Sequence, residues 1–222
     1  MKMSSLGRII GGTTAKEGSF PFFVRIDNNV QNICGGSLIA PDIVLTAAHC
    51  FTDGLSVVVG GTTAFVIPDG PGVSRSIVEA RPHPDFNKQT FQHDFMLFKL
   101  SESVEGVEPV HIQLDGQIEV GDALSVVGLG YTVEDKESPA YLQQVTVNVV
   151  EFEPCAAIYS NLSITDGIEN FMSSSVQFCA AAPGRDSCKG DSGKDYGDGQ
   201  DGYMLVNLDT GLTYTSHKGV PF

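Results

Sequence analysis

Residues 186–193 read Asp-Ser-Cys-Lys-Gly-Asp-Ser-Gly, DSCKGDSG. Gly190 carries no Cβ, so the backbone there can approach a reacting carbonyl closely. Its N–H and that of Ser192 would point into one concave turn, with the Ser192 hydroxyl beside it. A serine nucleophile needs three things: a base within hydrogen-bond reach, a carboxylate that holds the base in the right tautomer, and backbone N–H groups that meet the developing oxyanion. Residues 186–193 supply the third. Taken alone, Gly-Asp-Ser-Gly is also an ordinary polar turn, so the other two requirements decide.

Upstream, Leu45–Cys50 (LTAAHC) places His49 just after a strand-like run and beside a cysteine that can tether it. His93–Leu100 (HDFMLFKL) places the Asp94 carboxylate at the mouth of an apolar strand. A lone histidine there is usually structural, and a lone aspartate usually caps a turn. The three segments together, in the order His, Asp, Ser, carry more weight than any of them.

The surrounding chain fits a scaffold of short strands. Hydrophobic residues make up 41% of the 222 and charged residues 18%, so a packed core is expected rather than disorder. The 25 glycines and 11 prolines are many for a helical protein and suit frequent turns. Runs rich in β-branched and aromatic residues predict strands at 22–27, 43–47, 55–60, 64–67, 74–80, 95–100, 124–128 and 142–150. Turn signals such as Pro41-Asp42, Gly60-Gly61 and Pro82-His83-Pro84 separate them. Residues 46–50 are compatible with a single helical turn, and 153–159 (EPCAAIY) form the best short helix, with Pro154 in its first turn. A connector at 106–117 divides two β-rich halves, and an all-β chain of this kind implies a barrel or sandwich.

With these residues in view, the chain resembles the chymotrypsin/trypsin family of serine proteases over about residues 8–193. The resemblance rests on Arg8–Gly12 (RIIGG), Phe20-Pro21-Phe22, Cys34–Ile39 (CGGSLI), Val44–Cys50 (VLTAAHC), Asp94–Leu100 (DFMLFKL) and Asp186–Gly193. The order His, Asp, Ser is that of chymotrypsin-type enzymes, and Ser192 lies in no GxSxG, which argues against a lipase or esterase. The resemblance implies an all-β fold of two six-stranded antiparallel β-barrels with the active site between them. It places a pro-segment at 1–8 and the peptidase domain at 9–222, with an N-terminal barrel at about 9–108 and a C-terminal barrel at about 118–222.

It also implies roles. Ser192 is the nucleophile, His49 the general base and acid, and Asp94 the orienting carboxylate; Gly190 and Ser192 give the oxyanion hole. Asp186 matches the base of the specificity pocket in trypsin-like members and would select Arg or Lys before the cut bond. Arg8-Ile9 matches the activation site: cleavage would free an Ile9 ammonium to pair with Asp191 and order the oxyanion turn, so the uncut chain is a zymogen. Among the five cysteines the resemblance implies Cys34–Cys50 and Cys155–Cys179 disulfides and leaves Cys188 unpaired.

The family pattern breaks after Gly193. Lys194–Gly202 (KDYGDGQDG) has no apolar periodicity, 203–208 (YMLVNL) offers one strand, and 209–222 reads as turn and coil. No tryptophan occurs, and no cysteine follows Cys188. The second barrel is therefore expected to be incomplete, through truncation, a frame change or a divergent tail. A non-catalytic serine protease homologue acting as a binding protein is the alternative this leaves open.

Other function classes are disfavoured. A formal net charge of -14 repels phosphate backbones and anionic lipid, so neither nucleic acid nor a membrane is an expected partner. The expected partners are protein or peptide substrates, an activating protease and proteinaceous inhibitors. No cysteine or histidine spacing suggests zinc, and Asp195, Asp198 and Asp201 lack calcium-loop spacing, so no metal or other cofactor is expected. The cysteines point to an extracellular or secretory setting, although residues 1–12 lack the apolar centre of a signal peptide and a start upstream of Met1 is expected.

Overall fold

The computed structural model describes residues 12–27, 32–61, 72–88, 93–112, 118–129, 141–157, 178–183, 202–207 and 213–217. Six strands close into a barrel: β2 (Phe23–Asp27), β3 (Asn32–Ala40), β4 (Ile43–Thr46), β5 (Ser56–Val59), β6 (Val73–Pro82) and β7 (Met96–Leu100). Their order around the barrel is β2-β3-β4-β7-β6-β5, and every pairing is antiparallel. Closure leaves no exposed strand edge.

The period-2 pattern explains what fills this barrel. Met96, Phe98 and Leu100 are buried on β7, while Leu97 between them is exposed. Val24, Ile26, Leu38, Val44, Val57 and Phe98 are fully buried in one core cluster. Burying each such side chain contributes about 1.5–3 kcal/mol. Gly36 is required by a close approach: a Cβ there would sit 2.9 Å from the Leu45 carbonyl oxygen and 3.0 Å from Val44 Cγ1. Gly72 has φ +115°, and a Cβ would meet Val58 Cγ1 at 2.6 Å.

A second antiparallel sheet also has six strands: β1 (Thr13–Thr14), β8 (Ala123–Gly128), β9 (Gln143–Val150), β10 (Cys179–Ala181), β11 (Gly202–Asn207) and β12 (Thr213–His217). Its order is β1-β9-β8-β11-β12, with β10 also on β9. Residues 143–144 of β9 pair with β1 and 148–150 with β10, so the two short strands share one edge of β9. The outermost strands of the path, β1 and β12, do not pair with each other. The all-β fold with a closed first barrel is as expected from the sequence, and among the described residues the second half is an open sheet. One expectation is corrected: residues 209–222, read as turn and coil, contain β12, which pairs with β11 from Gly202↔His217 to Val206↔Thr213. β11 in turn pairs with β8.

Two strands are buried on both faces, and they mark where the halves meet. On β2, Val24 and Ile26 face the barrel interior while Phe23 packs with Phe20, Val127, Leu129 and Leu142. On β8, Leu124 and Val126 face the second core with Val145, Val147 and Val149. Arg25 and Asp27 share the outward side of β2 with Phe23 and are 3% and 2% exposed. The Ala15 N–H donates to the Leu142 carbonyl at 2.8 Å, extending the contact between β1 and β9.

Helix is scarce. Ala48–Cys50 form one 3₁₀ turn, and residues 152–157 are helical. No helix among the described residues is long and apolar enough to cross a membrane.

Candidate active site

The β4–β7 ladder brings two of the sequence-predicted residues together. It pairs Thr46 with Met96, the last residue of β4 with the first of β7. His49 lies just beyond one strand end and Asp94 just before the other. The chain leaves β4 through the 3₁₀ turn, which ends where Phe51 becomes extended (φ -72°, ψ 123°). Two features hold that turn. The Cys34–Cys50 disulfide ties it to β3, and Thr46 Oγ1 donates to the Gly35 carbonyl at 2.8 Å.

Asp94 accepts twice from His49. Its Oδ1 takes the backbone N–H at 2.8 Å, and its Oδ2 lies 2.6 Å from ring Nδ1. The aspartate side chain is 2% exposed and the imidazole 12%. An ionised carboxylate only accepts, so Nδ1 must carry a proton and, in the neutral ring, Nε2 holds the basic lone pair. Cys50 Sγ flanks Nε2 at 3.7 Å, and a disulfide sulfur has no proton to give it. Chemically, the arrangement is a histidine base with its tautomer and ring plane both set by a buried carboxylate.

The turn that delivers Asp94 is unusual. His93 has φ 54°, the one positive φ outside glycine among the described residues. A non-glycine residue in this region costs about 1–3 kcal/mol unless its surroundings over-determine it. The Phe95 N–H closes the turn onto the His93 carbonyl at 2.8 Å. The His93 ring stacks on His83, with centroids 4.8 Å apart and planes 12° from parallel. Neither ring was assigned a role from the sequence, where Pro82-His83-Pro84 signals only a turn. A stack between residues 83 and 93 leaves no local pattern to find.

A ring nitrogen of His49 and the sulfurs of Cys34 and Cys50 lie within 4.8 Å of one another. Both sulfurs are joined to each other, so neither can serve as the thiolate that a metal needs.

The second disulfide, Cys155–Cys179, joins the 152–157 helix to β10. Arg8, Ile9, Asp186, Cys188, Gly190, Asp191 and Ser192 lie outside the described residues, as do Asp195, Asp198 and Asp201. The structure therefore brings His49 to Asp94 and leaves the serine's place to the sequence.

Comparison with known proteins fits this geometry. The family model described as Trypsin matches residues 9–194. The chain is 29% identical over 218 residues to trypsin alpha of Drosophila melanogaster, covering 96% of this chain and 82% of that protein. It is 31% identical over 222 residues to trypsin alpha of Drosophila erecta, with the same coverage. Its structure superposes on neuropsin, a serine protease expressed in the limbic system of mouse brain, with a TM-score of 0.74 and 25% identity, covering 91% of this chain and 83% of that one. The chain belongs to the trypsin family of serine proteases and has the chymotrypsin-like fold.

Proposed function

We propose that the chain is a serine endopeptidase that hydrolyses peptide bonds through an acyl-enzyme. The observation that carries this reading is the double contact of Asp94 with His49, which leaves Nε2 as a base of fixed direction. Ser192 Oγ attacks the scissile carbonyl carbon as Nε2 takes its proton. The backbone N–H groups of Gly190 and Ser192 bind the oxyanion, and collapse of the tetrahedral adduct expels the amine with the proton from His49. Water then repeats the sequence on the acyl-enzyme. Asp94 stays ionised and stabilises the imidazolium.

The finer readings rest on the sequence match and on family membership. Asp186, in a desolvated pocket, would select Arg or Lys before the cut bond by charge pairing. Cleavage after Arg8 would release an Ile9 ammonium for Asp191 and convert a zymogen to the active form. Protein or peptide substrates, an activating protease and proteinaceous inhibitors are the partners of such an enzyme. The two disulfides favour an oxidising, secretory setting.

One observation favours a second reading, a non-catalytic homologue that binds partners: the second sheet is open among the described residues, between β1 and β12. A single experiment separates the two. The chain is cut after Arg8, then treated with a serine-directed fluorophosphonate and with a chromogenic Arg-amide. The protease reading requires label and turnover that both vanish in Ser192→Ala. A folded, cleaved chain that takes no label is the binding protein.

A further inference from the structure

The serine-protease reading gives the stacked pair of His83 and His93 a task. We propose that His83 is a positioning residue for Asp94, acting through its ring stack on His93 to hold the bent turn that aims both carboxylate oxygens at His49.

Asp94 meets a backbone N–H and a ring nitrogen of the same residue at 2.8 and 2.6 Å, so a small rotation of its backbone breaks at least one contact. The residue before it, His93, sits at φ 54°, a region that a side chain other than glycine leaves unless something holds it there. His83 touches both neighbours of Asp94. Its ring lies 4.8 Å from that of His93 at 12°, and 4.5 Å from the Phe95 ring at 57°. Its backbone N–H donates to the Phe95 carbonyl at 2.9 Å.

His83 is itself well placed to act as an anchor. It follows Pro82, which pairs with Met96 at the end of the β6–β7 ladder. The Phe86 N–H returns to the His83 carbonyl at 3.0 Å, and the Asp85 N–H donates to His83 Nδ1 at 3.2 Å. The Asp85 contact fixes the direction of the His83 ring. The two flat rings lie face to face, 12° from parallel. On this account the flatness of the residue-83 side chain matters, and its charge does not.

The test uses the chain cut after Arg8 and three variants: His83→Ala, His83→Phe and His93→Asn. His83→Ala keeps the backbone hydrogen bond to Phe95 and removes only the ring. Turnover of a chromogenic Arg-amide gives kcat and KM. The low-field proton resonance of His49 Nδ1–H reports the contact with Asp94 directly, and melting curves report the fold. In His83→Ala, kcat is expected to fall about 10-fold, a modest displacement of a catalytic group. KM should stay within about twofold, because substrate binding is untouched. The low-field resonance should broaden or shift. His93→Asn tolerates the left-handed backbone but lacks the ring, and should behave alike. His83→Phe should restore both kcat and the resonance. The proposal is overturned if His83→Ala keeps the wild-type resonance and kcat, or if His83→Phe is as impaired as His83→Ala. If the wild-type chain neither turns over substrate nor takes fluorophosphonate, the protease reading fails. The resonance comparison still decides the stack by itself.

Discussion

Asp94 holds the backbone and the ring of His49 at the same time, through Oδ1 at 2.8 Å and Oδ2 at 2.6 Å. The carboxylate thus ties the ring direction to the backbone of the 3₁₀ turn. Replacing it by an amide, Asp94→Asn, puts an NH₂ group against one of two donors and favours the other imidazole tautomer. On the proposed mechanism kcat should drop by about 10⁴-fold, the size of the loss that the equivalent change causes in the type enzyme of this family. The melting temperature should move far less than the rate, since the volume is unchanged. Steady-state kinetics beside a thermal melt checks both. An active Asp94→Asn enzyme would remove Asp94 from the mechanism.

The Arg25–Asp27 pair makes a different kind of prediction. Arg25 Nε lies 3.0 and 2.9 Å from the two Asp27 oxygens, and the two side chains are 4% and 2% exposed. Removing one partner breaks a buried ion pair, so Arg25→Met or Asp27→Leu alone should cost about 3–5 kcal/mol. The double variant should recover most of that loss, because two apolar groups need no partner. Denaturant unfolding of the four proteins gives the coupling. If the double variant is as unstable as the sum of the singles, the ion pair is not what the site depends on.

The same pair gives an acid-range signature. Burial pushes the Asp27 carboxyl above its ordinary value of 3.8, against the lowering pull and hydrogen bond of Arg25. A raised carboxyl binds its proton more tightly in the folded chain than in the unfolded one. Its contribution is therefore most favourable below the ordinary value and declines as pH rises through the raised one. Asp27→Asn should flatten this part of the stability-versus-pH curve. Thermal melts from about pH 3 to 6 cover the window. A wild-type curve with the same slope as the variant refutes the shift.

The Cys34–Cys50 bridge closes a loop with a sequence separation of 16. Loop-closure entropy for that length is about 3 kcal/mol. In a chain of this size the loss should lower the melting temperature by about 6–12 °C. Cys34→Ala/Cys50→Ala should also depress kcat more than KM, since Cys50 adjoins His49. Calorimetry and kinetics on the double variant test the two effects separately.

Gly36 packs against the β4 backbone. An added Cβ meets a carbonyl oxygen at 2.9 Å, and backbone cannot yield as a flexible side chain does. Gly36→Ala should destabilise the barrel by about 1–3 kcal/mol through forced strand separation. Urea unfolding measures it, and a variant as stable as wild type would mean that β3 and β4 shift apart freely.

Much of this was legible in the residues. β2, β4, β5, β7, β8 and β9 all fall on runs of β-branched and aromatic residues, because a half-buried strand needs that alternation. β3 was visible as a motif rather than as a strand: Gly35 and Gly36 lower its propensity, and only the close approach of Phe23 on β2 to Gly35 and of β4 to Gly36 explains them. β12 was missed because Thr213–His217 (TYTSH) has no apolar run.

By itself the sequence determined the membership: the segments around His49, Asp94 and Ser192, their order, and the cysteines beside them are local patterns that chemistry constrains residue by residue. It also made the departure after Gly193 plain. Only the tertiary structure decided that Thr13–Thr14 join β9, that Arg25 and Asp27 are buried together on the outer side of β2, and that His83 stacks on His93 behind the Asp94 turn. The physical reason is the same in each case. These features depend on surfaces brought together across long stretches of chain, where burial and hydrogen bonding are set by the partner and no local periodicity records it.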